Sequence, residues 1–153
     1  MSLPRYRDPD FFQLLTSSYQ RLLGVPLVDP ALPQAEAMHW LYEQAPFCVL
    51  SHNTAASPVF VYANRTAQRC FGYSWDAFTQ LESRLSAEAP NREERDRLLQ
   101  AVQRDGYASG YRGLRIAADG RRFWIENVTV WNLLDDAGVY HGQAATYRSW
   151  QDA

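Results

Sequence analysis

Residues 59–74 read VFVYANRTAQRCFGYS, and the chain changes character within them. Val59 to Tyr62 are β-branched and aromatic, the composition of a strand. From Asn64 onward Ala67, Cys70 and Phe71 fall at helical spacing, with Asn64 in the capping position and Gly72 as the stop. A strand that ends and turns at once into a short helix lays that helix back over its own sheet. Asn64, Gly72 and Tyr73 are read as scaffold for that turn.

Working outward, FCVL from Phe47 and the polar loop HNTAASP place a second strand before Val59, so the pair predicts a hairpin. Ser74 with Asp76 predicts a further helical turn. Asn91 to Glu94 has the form of a capping box for a helix that carries Leu98, Leu99 and Val102 and ends at Gly106. Three strands follow, Tyr107 to Ala117, Arg121 to Leu134 and Val139 to Trp150, with turns at Asp119-Gly120 and Asp135-Asp136-Ala137-Gly138. On the N-terminal side, Asp8-Pro9-Asp10 opens an amphipathic helix through Leu23, and a second helix runs from about Pro33 to Ala45. The order predicts an α+β domain whose antiparallel sheet is covered on one face by helices. We divide the chain into an N-terminal helical extension, 1–30, and the sheet domain, 31–153.

A chain of 153 residues, 46% of them hydrophobic, suffices for one core. The formal net charge of −2 and the lack of a basic stripe argue against nucleic acid as a partner. Every basic side chain apart from histidine is an arginine, which removes lysine Schiff-base chemistry. Two cysteines, 48 and 70, fit a reducing compartment, and no apolar run has the length of a signal peptide or membrane span. A soluble cytoplasmic protein is expected, without membrane association.

The strand ending in Tyr62-Ala63-Asn64 and the helix ending in Gly72-Tyr73-Ser74 resemble a PAS domain. DGRRFW and HGQAATYRS resemble its last strands. More narrowly, RLSAEAP, YRGLRI, TVWNL and HGQAA are similar to the MEKHLA family, a PAS-related group found at the C-terminus of plant homeodomain–leucine-zipper regulators and as small bacterial proteins. The likeness runs from about Ala35 to Tyr147. It implies a five-stranded antiparallel sheet and a sensory or ligand-binding role without catalysis. This chain has neither homeodomain nor zipper, so no DNA-binding role follows.

The resemblance also says which chemistry is missing. Light-oxygen-voltage members of the PAS group attack a flavin with a cysteine, and that slot here is Ser83, a weak nucleophile. Arg84 matches the neighbouring arginine that holds flavin phosphate in those proteins. Their ring-reading amides correspond to Arg115, Ile125 and Ala144, and alternation along the strand sends the adjacent Gln143 to the opposite face. The haem-binding members carry a histidine on the helix that here follows Asn91, where none occurs. His39, His52 and His141 are too scattered for a metal site. No cofactor and no metal is therefore expected, and no catalytic set rises above chance.

On the PAS register the inward positions are Tyr111, Gly113, Arg115, Ile125, Asn127, Thr129, Ala144 and Thr146. Together with Ser83, Arg84 and Cys70 these give the candidate ligand-binding residues: Arg115, Asn127, Tyr111, Thr129, Arg84, Ser83 and Cys70. An inward Arg115 needs an anion, either a ligand carboxylate or phosphate or an internal glutamate, Glu82 or Glu126; the alternative is an exposed edge. Cys48 and Cys70 are read as packing residues that also allow a thiol response. Trp124, Val128 and Val130 form the outward face, which needs the N-terminal helix of its own chain or of a partner. A homodimer through that helix and face is expected, or, in a ligand-free reading, an interaction module.

Overall fold

The computed structural model describes residues 3–87 and 89–153. After a short 3-10 turn at Arg5–Arg7, α1 (Pro9–Leu23) starts where the Asp8 carboxylate accepts from the Asp10 and Phe11 amides, with Pro9 in the first turn. It ends at Gly24. A proline-punctuated connector leads to α2 (Gln34–Glu43), then to β1 (Cys48–His52) and β2 (Phe60–Ala63). Next come α3 (Arg65–Phe71), α4 (Trp75–Phe78), a 3-10 turn at Ser83–Ser86 and α5 (Ala89–Asp105). The last part is β3 (Tyr107–Ile116), β4 (Arg122–Leu134), β5 (Tyr140–Tyr147) and β6 (Ser149–Asp152). α5 begins at Ala89 rather than at the capping box, and the side chains of Asn91 and Glu94 lie outside the described residues.

All pairings are antiparallel, in the path β2-β1-β5-β4-β3. The expected final strand is broken at Arg148, so β6 pairs separately with β4 and the sheet counts six strands. The 59–74 switch forms as read: Asn64 caps α3 by accepting from Ala67 N, and Gly72 closes it at φ 77°. Asn64 does more than cap. Its Oδ1 also accepts from Val49 N, while Nδ2 donates to the Leu41 and Phe47 carbonyls. One fully buried amide thus ties α2, β1 and α3 together.

Helices lie on both sheet faces. α3, α4 and α5 enclose one core with Phe71, Phe78, Val102, Phe123 and Ile125. α1 and α2 close the other against Val49, Tyr62, Trp131 and Leu133, where the Trp131 indole donates to the Leu15 carbonyl. The outer face is thus covered by the chain's own N-terminal helix.

Which residues point to which core differs from simple alternation, and the cause is a pair of bulges. Between the pairs Gly113–Ile125 and Tyr111–Val128, β3 advances two residues and β4 three. Asn127 takes up the extra residue at φ 49°, where asparagine is tolerated best among residues with a Cβ. Between Tyr111–Val128 and Ala108–Val130, β3 carries the excess instead, at Gly110 with φ 75°. The outcome corrects the expected lining. Val128 and Val130 enter the inner core, whereas Asn127 and Thr129 border an outer groove with Tyr19, Leu27 and Arg148. Trp124 stays outward and half-buried, under the Arg112 guanidinium 3.8 Å from its ring centroid.

Candidate functional site: a cavity between sheet and helices

The cavity lies between the inner sheet face and the layer of α3, the Ser83–Ser86 turn and α5, with a volume of about 70 Å³. Phe71, Leu98, Ile125, Val128 and Val130 make its walls largely apolar. Its polar groups come from Tyr111, Arg115, Ser83, Ser86, His52 and Gln143. Strand alternation puts positions 111, 113 and 115 of β3 on the inner face, and the side chains of Tyr111 and Arg115 line the cavity. Ser83 is held there by its backbone, whose amide donates to the Pro58 carbonyl.

Arg115 is only 9% exposed. Its Nη1 donates to the Leu114 carbonyl at 2.9 Å and its Nη2 to the Tyr111 hydroxyl at 3.4 Å. The guanidinium stands 5.6 Å from the Tyr111 ring centroid. Neither expected glutamate reaches it: Glu82 pairs with Arg84 at 2.8 Å and Glu126 with Arg112 at 3.7 Å. Arg115 therefore has neither a carboxylate partner among the described residues nor an exposed edge to occupy.

Gln143 faces the cavity and Ala144 the outer core, the reverse of the expected assignment. The pairs Val130–Ala145 and Asn132–Gln143 carry the inner parity set by the Asn127 bulge across to β5. Gln143 Nε2 donates to Asn132 Oδ1 at 3.1 Å, and Asn132 Nδ2 donates to the Val102 carbonyl of α5 at 3.3 Å. Gln143 Oε1 is buried and has no hydrogen-bond partner among the described residues. Neither Gln143 nor Asn132 was a candidate from the sequence. Their signal was the amide pair itself, hidden by the bulges that decide its side.

Of the seven candidates, the fold brings Tyr111, Arg115 and Ser83 to the cavity. Asn127 and Thr129 lie across the sheet from it. Arg84 is half-exposed and held by Glu82. Cys70 packs in the inner core with its sulfur 3.5 Å from the Tyr147 hydroxyl. Burial, reinforced by the hydrogen bond to Cys70, holds the Cys48 thiol well above the usual range. That same bond lowers Cys70, while burial raises the Tyr147 phenol. These three groups are a packed cluster, and neither cysteine lines the cavity. Among the described residues, no group of three or more His, Cys, Asp or Glu side chains stands together as a metal site. No helix there is long and apolar enough to cross a membrane.

A five-strand antiparallel path with helices inserted between its second and third strands and a cavity beneath them is the architecture of a PAS-like domain. Solved structures share it. The PAS domain of a Colwellia psychrerythraea protein matches with a TM-score of 0.61 at 14% identity, over 73% of this chain and 90% of that one. An RNA-binding light-oxygen-voltage receptor matches with a TM-score of 0.64 at 18% identity, over 84% of this chain and 36% of that one. Likeness at such identity establishes the fold alone. The sequence profile of the MEKHLA domain matches residues 9–152, and the chain belongs to that family. The homeobox-leucine zipper protein ATHB-14 of Arabidopsis thaliana is 28% identical over 111 residues, 72% of this chain. The chain spans only 13% of that relative's length.

Proposed function

We propose that the protein is a non-catalytic sensory module that takes a small molecule into the cavity between sheet and helices and signals through protein contacts. The observation that carries this reading is a cavity walled by both layers in which, among the described residues, the buried Arg115 guanidinium meets only neutral oxygens and Gln143 Oε1 has no hydrogen-bond donor. A ligand group that satisfies Gln143 acts on the Gln143–Asn132–Val102 chain, and so on the seating of α5 against the sheet. No activated nucleophile or acid–base pair borders the cavity among the described residues. A signalling homodimer would not bury the outer sheet face directly, because α1 of the same chain fills it.

The test is native mass spectrometry of the protein purified without added ligand, compared with its denatured mass. A released small molecule, or a thermal midpoint raised by a member of a metabolite panel, is the expected result. An empty protein that no small molecule stabilises, and that still engages protein partners, would replace this reading with a ligand-free interaction module.

A further inference from the structure

We propose that the Arg115 end of the cavity is a seat for the carboxylate of a short-chain aliphatic monocarboxylic acid. This rests on the reading of the cavity as a ligand site and names the ligand's chemical class. Arg115 spends two hydrogen bonds on neutral oxygens and keeps N–H groups in hand, with its charge nine-tenths out of water. A buried guanidinium is costly until an anion meets it, and a carboxylate does so through two parallel hydrogen bonds.

The seat is built by its neighbours. Tyr111 and Arg115 lean toward each other over Gly113, which lacks the side chain that would part them. A Cβ there would stand 2.8 Å from Arg115 Nη1, and nearer still to the Tyr111 hydroxyl. The phenol thus stands beside the guanidinium and can donate its proton to a bound oxyanion.

Charge and size narrow the ligand. Arg115 is the one guanidinium among the described lining residues, so one negative charge is neutralised and a second is not. That favours a carboxylate over a phosphate dianion. The walls next to the seat, Ile125 and Val128, and Leu98 above them, are apolar and suit a hydrocarbon body. A volume of about 70 Å³ holds roughly five to seven waters at 10–15 Å³ each, which is the scale of propionate or butyrate.

The experiment titrates butyrate, the neutral isostere butyramide and inorganic phosphate into the full chain at one pH and ionic strength. The readouts are the Arg115 Nε–H resonance and the thermal midpoint. Butyrate is expected to saturate and shift both, phosphate and butyramide to bind at least about tenfold more weakly, and Arg115→Met to erase the preference for the acid. Gly113→Ala keeps the charge but displaces the Tyr111–Arg115 pair, and it should weaken butyrate while leaving butyramide unchanged. Equal binding of acid and amide, or the same affinity in Arg115→Met, would overturn the carboxylate seat and leave the cavity as a site for neutral ligands. Phosphate binding as tightly as butyrate would overturn the monocarboxylate assignment. If no probe moves any resonance of the cavity wall, the seat is wrong, and native mass spectrometry then decides whether the cavity reading falls with it.

Discussion

The two faces of the sheet are packed on opposite principles. On the outer face, rings from the Arg5–Arg7 turn, α1, α2 and the start of α4 press together: Tyr6 stacks on Tyr42 at 4.3 Å, Trp75 meets both edge-on, and Tyr19 meets Trp131 at 4.9 Å. The polar groups there are matched, as when Ser18 Oγ accepts from Leu134 N and donates to Leu134 O. On the inner face, α5 lies over a cavity, and among the described residues a guanidinium has no counter-charge and an amide oxygen has no donor. Tight packing supplies stability, and incomplete satisfaction leaves room for a ligand. The outer layer is accordingly a staple, and the inner layer holds the cavity in which the proposed ligand would sit.

Four substitutions or conditions break or sharpen that contrast. Trp131→Ala removes the largest fully buried side chain, from the outer core, and should cost about 3–5 kcal/mol in urea denaturation. A loss below about 1 kcal/mol would show that the outer layer is not the staple. Asn64→Ala strands the Val49 and Ala67 amides and the Leu41 and Phe47 carbonyls, with an expected cost of about 2–4 kcal/mol. Hydrogen exchange at Val49 should accelerate with it.

Arg115→Met lies on the inner side and should behave differently. It replaces a buried charge that has no carboxylate partner among the described residues by an apolar chain of similar length, so the empty protein should keep its stability or gain about 1 kcal/mol. Destabilisation by more than about 2 kcal/mol would make Arg115 part of the scaffold.

The smallest effect belongs to the β4–β5 turn. Asp135 accepts from the His141 ring and from the amides of Val139 and Ala137, and these bonds, His141 first, hold its carboxyl below the usual range. A lowered folded-state value means that the contribution is present above the unfolded value of about 3.9 and fades as pH falls through the folded one. The stability difference between wild type and Asp135→Ala should therefore be small at pH 6 and vanish near pH 2. A difference that persists in acid would show that the turn does not depend on the carboxylate.

Much of the fold could be read locally because its signals are local. Asp8-Pro9-Asp10, Asn64 and Ser74 begin helices by satisfying amides within a few residues, and Gly24 and Gly72 end them with a left-handed residue. The candidate site was less legible. Tyr111, Ser83 and Arg115 were placed in the cavity, but Arg84 was taken by Glu82 and Cys70 by the core. No local pattern tells an arginine which carboxylate its neighbours will claim first.

The sequence by itself determined the element order as far as β5, the helix starts capped by Asp8, Asn64 and Ser74, and the presence of an arginine and amides on the last strands. Only the tertiary structure decided which face they serve. The run Glu126-Asn127-Val128-Thr129-Val130 puts Val128 and Val130 on one face and Asn127 and Thr129 on the other, and with both faces covered nothing local says which face is the inner one. The phase changes at Asn127 because β4 must pair at once with β3 and with β5 and β6, and the extra residue is absorbed where asparagine can take a positive φ. Below that point the strand keeps the predicted side, and above it every side chain is reversed. That reversal puts Val128 and Val130 into the cavity wall and turns Asn127 and Thr129 away from it, and the β4–β5 pairing carries the same parity to Gln143.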